Sequence, residues 1–165
     1  MKRILSGALL MGCIVPIASA TDVVLSQKNL SFHIADKLAQ NVLLVCARDN
    51  YNVAVTVVGY SGTPLVMKRM DNAGPHTIEA SRMKAFTALS TRTPTDNVMK
   101  NSRSSADANN LRDIPGFLLL AGGVPVTSGG QVIGAVGVGG APGGHLDQAC
   151  ALEALKSIDK ELNAG

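Results

Sequence analysis

Between Leu111 and Asp147 the chain places Gly116, Gly122, Gly123, Gly129, Gly130, Gly134, Gly137, Gly139, Gly140, Gly143 and Gly144 among two apolar runs. The runs are Phe117–Val126 and Val132–Val138, and Ser128-Gly129-Gly130 stands between them. Short, β-branched runs bounded by Gly or Pro read as buried strands, here joined as a hairpin. Glycine inside a strand weakens it, so glycine at this density needs a reason. Tight turns and close packing of a helix on the sheet supply one. A ligand groove or a subunit interface along the sheet supplies another. Residue type alone leaves both open.

The 165 residues suffice for one domain with a core of its own. Lys2 and Arg3, the apolar stretch Ile4–Ile17 and the small-residue triplet Ala18-Ser19-Ala20 have the layout of a secretory signal peptide over residues 1–20. Leu10-Met11-Gly12-Cys13 loosely resembles a lipoprotein site, but the apolar run continues past it to a better cleavage site. The apolar run is too short to span a bilayer, so export without stable membrane insertion is expected, to the periplasm or beyond the cell. Cleavage would leave a single domain over 21–165. Of the 15 basic residues, Lys2 and Arg3 would go, leaving 13 against 12 acidic and a net charge of +1. No basic stripe remains to attract nucleic acid, and an aromatic content of 3% offers few stacking platforms. Two cysteines would remain, Cys46 and Cys150. In an oxidising compartment such a pair favours a disulfide over two buried thiols.

Along the mature chain, Ser26 can cap a helix that runs to about Arg48, with Leu30, Ile34, Leu38, Val42 and Val45 as its apolar stripe. Val53–Val58 and Leu65–Met70 read as strands, and the short loop between them makes them antiparallel neighbours. A helix is expected from Pro75 or Thr77 to about Ser90, with Ile78, Ala85, Phe86 and Leu89 inward. A short helix follows Thr95, then a polar loop over Ser102–Asn110, then the glycine-rich strands. A last helix runs from His145 or Leu146 to about Leu162. Hairpins with segregated helices argue for an α+β fold on an antiparallel sheet, in the order α-β-β-α-α-β-β with room for a further strand before the last helix. First and last helices lying antiparallel on one face would bring Cys46 and Cys150 together.

No nucleophile elbow, phosphate loop or zinc-protease helix occurs. Histidine is the side chain suited to ligation or proton transfer near neutral pH, and the chain has His33, His76 and His145. His76 lies in a Gly-Pro loop at a helix start, close in sequence to Arg69, Asp71 and Glu79. His145 opens the last helix, two residues before Asp147. Met67, Met70 and Met83 could meet a haem, although methionine at such spacing is more often core. Arg69, Arg82 and Lys84 could pair with carboxylates.

Arg69-Met70-Asp71, Ala73-Gly74-Pro75-His76-Thr77, Ser81-Arg82-Met83-Lys84-Ala85, Thr93-Pro94-Thr95, Pro115-Gly116, Gly122-Gly123-Val124-Pro125 and Gly134 to Gly140 stand in one order. In that order they resemble the GlcG/HbpS-like haem-binding family, over roughly Leu25 to Leu162. The resemblance implies a profilin-like three-layer α/β/α fold with a five-stranded antiparallel sheet, and self-association into homo-oligomers. Some exported members bind haem, and one type acts outside the cell as a haem sensor beside a membrane kinase. Others are encoded near glycolate or diol metabolism, and a related domain occurs in cobalamin adenosyltransferase-associated proteins. The expectation is an exported, non-enzymatic haem-binding protein for sequestration, trafficking or sensing. Local chemistry and place in the motif make His76 the iron ligand and His145 the second choice. Arg69 and Lys84 would meet the propionates, and Gly137 and Gly139 would let the flat macrocycle approach the backbone. A binding module or enzyme for a small carboxylate or aldehyde, and an oligomeric structural protein, are the alternatives.

Overall fold

A computed structural model describes residues 24–164. The expected signal peptide lies outside these residues. Four antiparallel strands form one sheet in the order β2-β1-β4-β3. They are β1 (Ala54–Gly59), β2 (Pro64–Arg69), β3 (Gly123–Ser128) and β4 (Gln131–Gly139). Every residue of β1 is buried, as befits a strand paired on both sides and covered on both faces. β2, at the edge, buries only Val66 and leaves Pro64, Met67 and Arg69 exposed.

Helices α1 (Phe32–Arg48) and α4 (Gly144–Ser157) cover one face. Leu38, Val42, Ala151 and Ala154 pack there on Val55, Val57, Val136 and Val138. α2 (Thr77–Thr91) covers the other face, and α3 (Thr95–Ser104) leans on it. The fold is thus α+β with an antiparallel sheet between helical layers. Cys46 of α1 and Cys150 of α4 form a disulfide, with Cα atoms 5.5 Å apart. Among the described residues, no helix is long and apolar enough to cross a membrane.

Four expectations change. α1 begins at Phe32 and not near Ser26, because Ser31 Oγ accepts the Ile34 N–H while Leu30 donates its N–H to the Ile133 carbonyl. Ala106–Asp113 is a 3-10 helix within the expected loop. The last helix breaks at the fully buried Ile158, after which α5 (Asp159–Leu162) restarts. The sheet has four strands among the described residues, not five, because Phe117–Ala121 stays outside it. The N–H of Leu118 donates to Thr87 Oγ1 at 2.9 Å, and the Leu120 carbonyl accepts from Thr95 Oγ1 at 2.8 Å. Helix side chains satisfy backbone groups that a further strand would have paired.

Candidate functional site

Glycines of β3 and β4 decide how α2 sits. A Cβ at Gly137 would collide with the Ser81 carbonyl oxygen and the Ala85 amide, and one at Gly123 with the Lys84 carbonyl. Helix backbone therefore lies directly on sheet backbone. Only small or polar side chains fit between, and α2 buries Thr77, Ser81, Ala85 and Ala88, while Ile78 and Phe86 are only partly covered. Ser81 and Thr56 share a buried hydroxyl–hydroxyl bond of 2.8 Å. Gly139 lies under the first turn of α2, beside Ala80 and Thr77. Both Gly137 and Gly139 are covered by α2 and expose no backbone to a flat macrocycle. Close helix packing demands glycine at Gly137, whereas a Cβ at Gly139 would make only ordinary contacts of 3.4 Å or more.

Lys84, expected from the sequence to face a ligand, is instead buried. Its side chain is 1% exposed, and it reaches across the sheet from α2 to the α4 layer. Nζ donates to Asp147 Oδ2 at 2.7 Å and to the Val138 carbonyl at 2.8 Å. Asp147 Oδ1 accepts the Ala141 N–H at 3.0 Å. Gly122 makes this possible, since a Cβ there would sit 2.9 Å from Lys84 Nζ and 2.9 Å from Asp147 Cβ. Burial pushes the Asp147 carboxyl above its ordinary range. The Lys84 charge, the Lys84 hydrogen bond, the Ala141 N–H and then His145 pull it partly back. Lys84 is thus spent inside the protein and reaches no propionate. The sequence carries a trace of this: Lys84 shares a helical stripe with Ser81, Ala85 and Ala88, all buried.

Arg69, at the end of β2, turns back onto the following loop. Its Nε and Nη2 both donate to the Ala73 carbonyl, and the residue as a whole stays exposed. The loop reaches α2 through Gly74, whose carbonyl accepts both the N–H and the hydroxyl of Thr77. His76 holds the position before the helix without capping it. Its ring folds over Gly74, where a Cβ would sit 2.8 Å from Cε1. His145, exposed on the first turn of α4, folds over Gly143 in the same manner. Among the described residues neither imidazole is engaged in a hydrogen bond. Arg69 and Gly139 both face Ala54 in the sheet register, so the two histidine loops leave the same end of the sheet. They open helices on opposite faces. His33 is exposed on α1, Arg82 pairs with Glu79 at 2.9 Å, and Met70 Sδ lies 3.3 Å from the Val53 amide. Among the described residues no three His, Cys, Asp or Glu side chains converge to hold a metal ion unaided.

A three-layer fold with an antiparallel sheet, a helix seated on sheet glycines and free imidazoles at two helix starts places the chain in a definite class. The chain belongs to the HbpS-like family, whose model, described as "Haem degrading protein HbpS-like", matches residues 30–156. It is 34% identical to Protein GlcG of Escherichia coli over 121 residues, 72% of this chain and 83% of that protein. A crystal structure of a double mutant of Streptomyces reticuli HbpS superposes with a TM-score of 0.78 at 36% identity, covering 89% of this chain and 99% of that one. The crystal structure of a PduOC:haem complex shares the fold, with a TM-score of 0.72 at 24% identity over 79% of this chain and 95% of that one.

Proposed function

We propose that this protein binds haem at the end of the sheet where His76 stands, in sequestration, trafficking or sensing. The observation that carries this reading is the His76 imidazole, exposed and free of hydrogen bonds on a loop that Arg69 holds in shape. A ring nitrogen without an internal partner is available to iron, and fixing the loop beforehand lowers the cost of ligation. The donor set fits haem in part. His76 would hold the iron and Arg69 would meet a propionate, while Lys84 suits neither. Haem itself would bring the redox-active iron and a large flat apolar surface.

Membership of a family described by haem degradation, and the haem held by the structurally similar PduOC, support the ligand class. His76 lies at an exposed loop, so a second copy of the chain is proposed as the opposite wall, in a homo-oligomer. His145 is the second candidate ligand. We further propose that residues 1–20 direct export and are removed, leaving the 21–165 domain in the periplasm or outside the cell. The Cys46–Cys150 disulfide suits that compartment.

Haemin titration of the chain from Thr21 onward, followed by absorbance, tests the reading. The expected result is a saturable Soret shift that His76→Ala removes and His145→Ala leaves or weakens. An unchanged spectrum in His76→Ala removes His76 from the site. A titration no different from that of an unrelated protein removes haem.

A further inference from the structure

At the other end of α2, about 22 Å from His76 by the rise of 15 helical residues, lies a second and separate cleft. It has two adjoining parts. One, of about 240 Å³, is walled by Tyr60, Gly62, Phe86, Leu89, Arg92 and Val132. The other, of about 320 Å³, shares Tyr60, Arg92 and Val132 and adds Gln27 and Gln131. No Asp or Glu lines either part.

The floor is fixed in place. The Phe86 ring meets Phe117 edge-on, with centroids 6.0 Å apart and planes at 74°. Gly62, at φ +80°, lies against the same ring, where a Cβ would stand 3.1 Å from Cε2. Tyr60 is anchored by its N–H, which donates to Asn29 Oδ1 at 2.8 Å. The whole chain has two Tyr, three Phe and no Trp, so Tyr60, Phe86 and Phe117 are most of its aromatic side chains. Their gathering beside one cleft marks this place out.

Arg92 supplies the second observation. It ends α2 at φ 52° and ψ 30°, the left-handed region, with its N–H on the Ala88 and Leu89 carbonyls. Glycine is the residue that ends helices this way without strain, and a side chain here costs stability. Among the described residues the Arg92 guanidinium takes part in no ion pair or hydrogen bond that would offset that cost. A strained residue whose guanidinium finds no partner within the fold points to use outside the fold.

We propose that this cleft binds a small monocarboxylate with an aromatic or branched apolar body. The Arg92 guanidinium would take the carboxylate through paired N–H donors, a geometry that lysine does not reproduce. Tyr60, Phe86 and Leu89 would bury the body, as rigid aromatic walls do at little entropic cost. The absence of acidic lining excludes amines, which Arg92 would repel.

Calorimetric titration with phenylacetate, acetate, methyl phenylacetate and phenethylamine tests this, using the disulfide-bonded chain. Phenylacetate binds saturably, and the other three bind at least about tenfold more weakly, as expected when a charge-assisted bond or the apolar body is lost. Arg92→Gly and Arg92→Asn, both at ease in the left-handed region, weaken phenylacetate by about tenfold or more. Their thermal midpoints equal or exceed that of the parent, which shows that the lost affinity is not lost folding. Phenylacetate affinity unchanged in Arg92→Gly overturns the proposal, as does the absence of saturable phenylacetate binding. A lowered midpoint in both variants also overturns it, since Arg92 would then serve the helix end.

Discussion

Replacing Lys84 by Met keeps the alkyl stem and removes the charge. Asp147, with 4% of its side chain exposed, would then keep only the Ala141 N–H. Breaking a buried pair from one side costs about 3–5 kcal/mol, because a carboxylate is left in a medium that cannot solvate it. That is a large share of the 5–15 kcal/mol that holds typical domains folded. With a urea dependence of about 2 kcal/mol/M, a loss near 4 kcal/mol lowers the midpoint by about 2 M. Removing both charges, as Lys84→Met with Asp147→Leu, should recover most of the loss or exceed the parent, since neither ion then needs desolvating. The assay is urea unfolding by far-ultraviolet circular dichroism, which suits a chain without Trp, on all four members of the cycle with the disulfide intact. A neutral Lys84→Met, or a double variant losing the sum of the two singles, would refute the claim that the pair is desolvated and coupled.

The same pair sets a pH dependence whose sign follows from Asp147. Its folded carboxyl is raised above the ordinary 3.8, so the native state holds that proton more tightly than the unfolded chain. Its contribution to stability is therefore fullest below 3.8 and is lost as pH rises through the raised folded value. Urea midpoints of the parent, relative to the Lys84→Met, Asp147→Leu double variant, should fall across that window. A difference that rises instead contradicts the assigned cause. Cys46 and Cys150 close a loop with a sequence separation of 104 residues. Replacing both by Ser should cost about 2–5 kcal/mol in the same assay, and a loss under about 1 kcal/mol would show that the crosslink does not constrain the unfolded chain.

Much of the layering was legible in the residues. The stripe Ile34, Leu38, Val42 and Val45 marks the buried side of α1, and the apolar run after Asn52 marks the central strand. Both signals are local, since periodicity along one element reports which side meets a core. Family motifs pointed to the HbpS-like class for the same reason: they are strings in order. The fate of Phe117–Ala121 was not legible, because an apolar run says nothing about whether strands or the hydroxyls of Thr87 and Thr95 will satisfy its backbone. The burial of Lys84 is hidden from the sequence for a related reason. Lysine on a helix is nearly always solvated. Only the meeting of α2, Gly122 and an aspartate 63 residues away makes a dry place where its charge is matched. The left-handed turn at Arg92 and the aromatic floor beside it also belong to tertiary structure, which brings together Tyr60, Phe86 and Val132 from three separate elements. Sequence by itself determined where apolar surface had to be buried and which motifs the chain carries. Tertiary structure alone decided which polar groups found partners inside, because partnership depends on distances between segments that no local pattern encodes.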